Sequence, residues 1–465
     1  MPEPVIEQSK ESPTTSYVRN FINALIVVLI VILGYPLFTS TTSIYRAVLP
    51  IERINGFDIN DIAFEIPVTI LSSDRREEKE EVVVVDESYI QSQVSERYPQ
   101  IDFWSLKFTT SSEHEAPGYK VVIVDGASTS KKFEVDGDTI SIFTTPDTNV
   151  DEYIAEVLLD HVFKAELQSL STLARGESLP GVSLPYSANY NLVFSLFVEG
   201  GKRISWEIGQ ALEQFQPVLS ALLRPISSFQ VSTQIQYYSK LSQLYPNGKI
   251  PQDELATFIN FGDWNLGSID INPTINFLIY IPQNHLEIEE SPDNAFLVSQ
   301  WGGVKIMNRM PTMSQSTISQ DELVPILEIF ANHLLKLLGL PDSCIDSVPL
   351  RLESLQRIIT FKNLRDSLAN LKSLVKLSES LKEITVPEET KQQILLSLDR
   401  MDQAIQSQSV SDSGEAVDAS NRAFFEKKMV QQAYFPSEHK LAVFLPLLGP
   451  VGSIVIFSIL KFIKK

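Results

Sequence analysis

The sequence predicts a mixed α/β (α+β) domain that ends in a helical hairpin and is flanked by two transmembrane helices. Three patterns predict it. Apolar runs lie close to both ends, Phe21 to Phe38 and Leu441 to Ile463, and each is long enough to cross a bilayer. Between them, short β-rich runs alternate with stretches of helical period up to about residue 320. Beyond that point the period is helical almost throughout.

In chain order, residues 1–20 form a polar tail and 21–40 the first span. A hydrocarbon core of roughly 30 Å needs about 20 helical residues at ~1.5 Å each, so this run just crosses it. Small polar residues follow at Thr39 to Ser43, but no A-x-A site does, which favours a retained anchor over a cleaved signal peptide. Residues 41–320 read as the mixed α/β part. Its strand-like runs are Ile62 to Leu71, Phe103 to Thr109, Tyr119 to Val124, Thr139 to Thr144, Asn189 to Val198, Ser228 to Tyr238, Thr274 to Ile281 and Phe296 to Met307. Asp151 to Leu173 changes period: Ile154, Val157, Leu158, His161, Val162, Ala165 and Leu170 recur at three and four residues behind Asp151 as N-cap. A second helix is expected over Trp206 to Leu223, between Gly201 and Pro225.

Residues 321–440 read as the helical part. Leu323 to Leu338 stops at Gly339 and Pro341. Leu352, Leu355, Ile359, Leu364, Leu368, Leu371, Val375, Leu381 and Ile384 then form a stripe near heptad spacing, and Ile394, Leu398, Met401 and Ile405 form another beyond Pro387. Two such helices joined at a proline pair as an antiparallel hairpin. Ser409 to Gly414 reads as the next break, and a third helix from Glu415 leads toward the second span, 441–463, and a tail at 464–465. Pro446, Gly449, Pro450 and Gly452 in that span predict a kinked helix, either approached closely by a neighbouring helix or facing lipid.

Two crossings place both tails in one compartment and the folded middle in the other. Lys10, Arg19, Lys461, Lys464 and Lys465 put the tails in the cytosol, against a counter-signal from Arg46, Arg53, Lys427, Lys428 and Lys440. A tail that ends in lysines also departs from the apolar end of a removable lipid-anchor signal.

Composition bounds the function. A net charge of −20 argues against a nucleic-acid surface, which needs clustered cations. The dense run Asp74 to Glu81 is mixed in sign and reads as a solvated loop. Cys344 stands alone, so no disulfide forms within the chain. Asn272-Pro273-Thr274 is no glycosylation sequon because proline blocks it. The sequence has no G-x-S-x-G, Walker loop, H-E-x-x-H or C-x-x-C, and His114, His161, His285, His333 and His439 are scattered without ligand spacing. No catalytic, cofactor-binding or metal-binding residue is therefore assigned. Two features remain open: Cys344 assembled with a histidine by folding, and Trp301-Gly302-Gly303, either a close-approach site or a tight turn or bulge in a strand.

Tyr45-Arg46-Ala47-Val48-Leu49-Pro50 resembles the Y-R-A-x-L-P segment of the PIG-S family. Asn294-Ala295-Phe296 with Trp301-Gly302-Gly303, after the strand-like Thr274 to Pro282, is similar to that family's N-A-F and W-G-G pattern. Ala423-Phe424-Phe425 and Tyr434-Phe435-Pro436, running into Leu441 to Pro446, look like its A-F-F and Y-F-P signature. The resemblance implies a non-catalytic subunit of the glycosylphosphatidylinositol (GPI) transamidase, anchored in the endoplasmic reticulum membrane with its bulk in the lumen. It implies partners among the other transamidase subunits, including a caspase-like catalytic subunit that carries the nucleophilic cysteine and its histidine. Direct contact with GPI lipid or precursor protein is left open. The alternatives are a two-span adaptor of another membrane complex and a stand-alone lumenal thiol hydrolase built on Cys344.

Overall fold

A computed structural model describes residues 45–431 apart from 74–79, 82–84, 110–117, 125–131, 146–148, 180–183, 202, 242, 244, 259–271, 310–315, 341–346 and 382–383, together with scattered positions within 14–36 and 446–460. It divides into two compact units. One comprises residues 56–369 and 397–418; the other comprises the chain up to 55, 370–396 and the chain from 419.

After a short helix α1 (Ile51–Asn55), the larger unit opens with a six-stranded sheet. Its strands are β1 (Phe64–Ser73), β2 (Glu80–Glu81), β3 (Trp104–Thr109), β4 (Tyr119–Val124), β5 (Lys132–Asp136) and β6 (Thr139–Phe143). They run in the order β2-β1-β4-β6-β5, with β3 also on β1. β3, β1, β4 and β6 are mutually parallel, and β5 closes one edge antiparallel. Phe64, Ile66 and Val68 are buried while Glu65 and Pro67 between them are exposed, the period-two alternation that puts one face of a strand in the core. Helix α2 (Glu87–Arg97), which hydrophobic periodicity does not announce, is capped by the Asp86 carboxylate accepting from the Tyr89 N–H.

The helix expected over 151–173 is broken. It begins at Asn149, whose side chain makes no cap bond, and runs as α3 (Val150–Val157), a π-type turn over Leu158–Val162, and α4 (Lys164–Ala174). Asp151 is thus inside the first turn rather than the cap. The widened turn lodges Phe163 against Trp104 (5.3 Å) and Tyr119 (4.8 Å), so the ring that interrupts the helix also seats it on the sheet.

A second sheet follows, built from β7 (Asn189–Val198), β9 (Ser228–Tyr237), β11 (Thr274–Ile281), β13 (Ala295–Val298) and β14 (Gly302–Ile306) in the order β13-β14-β11-β7-β9. The short strands β8 (Ser205–Trp206), β10 (Lys249–Ile250), β12 (Glu287–Ile288) and β15 (Thr317–Ile318) form two separate pairs, β8 with β15 and β10 with β12. β14, β11, β7 and β9 are parallel; β13 is antiparallel. The run expected as one strand over Phe296 to Met307 is therefore a hairpin, turned at Gln300, whose φ is 58°. β11 is buried along nearly its whole length, as a strand covered on both faces must be. Helix α6 (Gln320–Leu337) brings Phe330 onto Phe277 (4.9 Å), beside helix α5 (Ile208–Leu223). Leu278, Tyr280, Val304 and Ile306 pack instead with Ile250, Phe258, Leu286 and Ile288 from the connecting segments. A capping box between Ser319 and Glu322 starts α6 earlier than its apolar pattern suggests.

The C-terminal helices are α7 (Val348–Ser380), α8 (Glu388–Ser407), α9 (Val410–Phe424) and α10 (Lys427–Gln431). The stripe from Leu352 to Val375 is buried throughout, as are Ile394, Leu398 and Met401. Leu381 departs from it, 47 % exposed just beyond the end of α7, and Ile405 is half-buried because Ala404 takes the core position. The break expected over Ser409 to Gly414 shrinks to Gln408, at φ 54°, and Ser409, whose hydroxyl accepts from the Ser411 N–H (3.1 Å). Gly414 is inside α9 because Tyr186 lies where a Cβ would project, 2.5 Å from the ring. Ser397 bonds the Ala416 carbonyl (2.9 Å) and Arg400 pairs with Glu415 (2.8 Å) and Asp412 (3.5 Å), which fixes α8 and α9 antiparallel.

Among the described residues, no helix is long and apolar enough to cross a membrane. The apolar runs 21–40 and 441–463 lie largely outside the described residues.

Candidate functional site

Two constructions stand out, one in each unit. In the smaller unit, the segment Tyr45 to Pro50 is fastened as a clasp onto the turn between α7 and α8. The Val386 N–H donates to the Tyr45 carbonyl (3.2 Å) and the Ala47 N–H to the Val386 carbonyl (2.9 Å), a parallel bridge centred on Arg46. The Arg46 guanidinium donates to the Ser378 hydroxyl (2.8 Å) and to its carbonyl at the C-terminal end of α7, where a cation complements the helix dipole. The Tyr45 hydroxyl donates to Glu388 at the start of α8 (2.9 Å), and that carboxylate pushes the phenol pKa up. Lys428 on α10 pairs with Glu389 (3.0 Å), so the chain on both sides of the helices is tied to one turn. Arg46, Ala47, Val48, Leu49, Ile51, Ser378 and Glu379 line an open apolar groove of about 500 Å³. Val48 is 81 % exposed.

In the larger unit a bidentate ion pair reaches into the core. Glu166 on α4 is fully buried, and Arg357 on α7 meets it through Nε (2.7 Å) and Nη2 (2.8 Å). The Trp104 indole N–H donates to the same carboxylate (2.9 Å), and Arg357 also donates to the Tyr119 hydroxyl (2.7 Å). Burial works against the guanidinium charge, but Glu166 and the Tyr119 oxygen outweigh it and hold the group protonated; burial also pushes the Tyr119 phenol far above its ordinary range. Beside this pair, Phe361 of α7 stacks on Phe103 (4.6 Å), and Arg365 and Lys362 donate to the carbonyls of Leu173 and Leu184 (3.2 and 3.1 Å). The first half of α7 is thereby bolted to the first sheet and its helix. Fully paired buried charge of this kind fixes register more than it adds stability.

The residues singled out by sequence do not converge. His161 lies against Phe133 (4.8 Å), His285 is exposed near Glu287 (3.4 Å), and His333 is buried beside Phe330. His114, Cys344 and His439 lie outside the described residues, as do most of Asp74 to Glu81 and the Tyr434-Phe435-Pro436 signature. No group of three His, Cys, Asp or Glu capable of holding a metal occurs among the described residues. The Trp301-Gly302-Gly303 question resolves toward backbone approach within the fold. A Cβ on Gly302 would sit 1.8 Å from the Asn276 carbonyl oxygen, and one on Gly303 2.5 Å from His333 Nδ1, so the two glycines let β14 close onto β11 and α6. Asn294, at φ 49°, fixes the approach to β13 by bonding the Ile288 N–H and the Leu286 and Ile306 carbonyls.

Both motifs therefore build structure: the Y-R-A-x-L-P segment makes the clasp, and N-A-F with W-G-G makes the β13–β14 hairpin. The family model described as phosphatidylinositol-glycan biosynthesis class S protein matches residues 25–465. The chain belongs to the PIG-S family. Its similarity to the GPI transamidase component GPI17 of Saccharomyces cerevisiae is 28 % identity over 96 % of this chain and 92 % of that protein. To the GPI transamidase component PIG-S homolog of Schizosaccharomyces pombe it is 25 %, over 94 % and 82 %. To the GPI-anchor transamidase component PIGS of Homo sapiens it is 24 %, over 93 % and 92 %. Within this PIG-S chain, the buried ion pair escaped the sequence reading although a signal existed. Glu166 continues the four-residue spacing of Leu158, Val162 and Leu170, and a lone carboxylate on an apolar stripe asks for a buried cation.

Proposed function

We propose that this PIG-S chain is a subunit of the GPI transamidase complex and acts there as a non-catalytic scaffold for attaching GPI anchors to precursor proteins. The observation that carries the reading is the family match along 25–465, together with relatives whose names call them components of that transamidase. The active cysteine and histidine are then expected on a caspase-like partner. The endoplasmic reticulum membrane is the expected site, with spans at 21–40 and 441–463, residues 41–320 and 321–440 folded in the lumen, and the tails 1–20 and 464–465 cytosolic. In support, the described apolar side chains of both runs face outward: Phe21, Ile32 and Phe457 are each at least 64 % exposed, whereas the apolar residues of the middle are mostly buried. Lipid around those runs would cover them.

The clasp suits a scaffold. It joins the chain after the first run to the turn between α7 and α8, and α10 is tied to the same turn, a footing that two anchors would share. Holding partner sites together raises their local concentration, a sufficient contribution without chemistry of its own. The test is affinity purification of the tagged full chain from membranes in mild detergent. The transamidase catalytic subunit should be among the proteins recovered, and Cys344→Ala should leave transamidation by the recovered complex unchanged. A chain recovered without that subunit, or activity lost on Cys344→Ala, overturns the reading.

A further inference from the structure

We infer that β9 is the seat of a strand contributed by another subunit of the complex, which extends the second sheet by one strand; this rests on the subunit role proposed above. β9 is the outer strand of that sheet, and among the described residues it pairs with β7 alone. The Ser228 N–H donates to the Ala188 carbonyl, and alternation along a parallel strand then turns the N–H and C=O groups of Phe229, Val231, Thr233, Ile235 and Tyr237 away from β7. The strand is ten residues long, so this open edge runs for about 33 Å. Exposure continues over both faces from Ser232 to Ile235.

Bare edges invite pairing, and proteins blunt them with charge, proline, bulges or brevity. The other edges here carry such devices. β5 bears Lys132, Glu134 and Asp136, β3 bears Lys107 paired with Glu65 (2.6 Å), β2 has two residues, and β13 has only four. β9 reads SFQVSTQIQY, with no charge, no proline and a β-branched or aromatic residue at every second position from Phe229 to Tyr237. An edge so long and so unguarded needs permanent cover. A precursor peptide that comes and goes would leave it bare between turnovers, and a second copy of a chain of net charge −20 is repelled. An extended strand of a resident neighbour meets both conditions, with main-chain bonds supplying affinity.

Thr233→Pro removes an N–H that the β7 ladder does not use, and Ile235→Lys puts charge on the edge. In the tagged full chain, either substitution should lower recovery of one transamidase subunit about tenfold while chain abundance and melting temperature hold. In parallel, amide hydrogen exchange on the wild-type chain should show Phe229, Val231, Thr233, Ile235 and Tyr237 protected in the complex and open in the isolated full chain, a comparison that stands even if a variant fails to fold. Undiminished recovery with both folded variants, or exchange at these amides equal in the two states, overturns the edge assignment and leaves the subunit role intact. So does protection that appears only on adding precursor peptide, or only on forming a dimer of this chain. A wild-type chain that recovers no transamidase subunit overturns both.

Discussion

Glu166 is fully buried, so its carboxylate depends on Arg357 and the Trp104 N–H, while Tyr119 holds Arg357 in place. Glu166→Ala would strand a guanidinium in the core and should cost about 3–5 kcal/mol, read as a fall in the melting temperature of the full chain. Replacing both members with apolar residues of similar size should cost much less; equal losses from the single and double changes would mean the carboxylate is not compensating the cation. This site was partly legible in advance, because Glu166 breaks an otherwise apolar spacing, but its partner lies 191 positions away and only folding names it. Gly302 and Gly303 stand out in the sequence, but close approach and a tight turn or bulge both fit them there. That the approach is to Asn276 and His333, inside the fold, required the register of β14 on β11.

At the scale of the element, period carried most of the information. Strands with a buried face and the stripe along α7 stand where alternation and heptad spacing put them, since those patterns reflect burial directly. Boundaries did not follow, because they are set by local bonds: the Ser319–Glu322 box starts α6, and the Ser409 hydroxyl starts α9 in a stretch rich in residues that usually signal a turn. Gly414 looked like a breaker and is instead a small residue under a ring. α2 escaped notice because only Ile90 and Val94 of its residues are buried, too few to print a period. Leu371, fully buried on α7, and Leu368 test that helix: aspartate at either should destabilise the chain by about 3–5 kcal/mol. Unchanged abundance and melting temperature would place the stripe in contact with water or lipid instead.

For the molecule as a whole, the sequence reading of a mixed α/β part with C-terminal helices matches the architecture, whereas the division into two units cuts across α7, α8 and α9 in a way no linear pattern announces. The clasp gives that cut a physical sense: residues near the first apolar run belong with the end of α7 and the start of α8 and not with the sheets. Among the described residues, Cβ atoms added to Gly449 and Gly452 would meet nothing within 4 Å, and glycines so placed admit a neighbouring helix. Gly449→Leu with Gly452→Leu should therefore reduce recovery of membrane-embedded subunits several-fold without lowering the level of this chain, whereas recovery of the whole complex in normal yield would remove the contact.

The proposed scaffold role requires a folded middle displayed on one side of a membrane with both ends on the other. Protease added to sealed microsomes should spare residues 45–431 while trimming tags at both termini, and should digest the middle once detergent opens the vesicles. Digestion of the middle in sealed vesicles would contradict it, as would a mature chain already missing either apolar run.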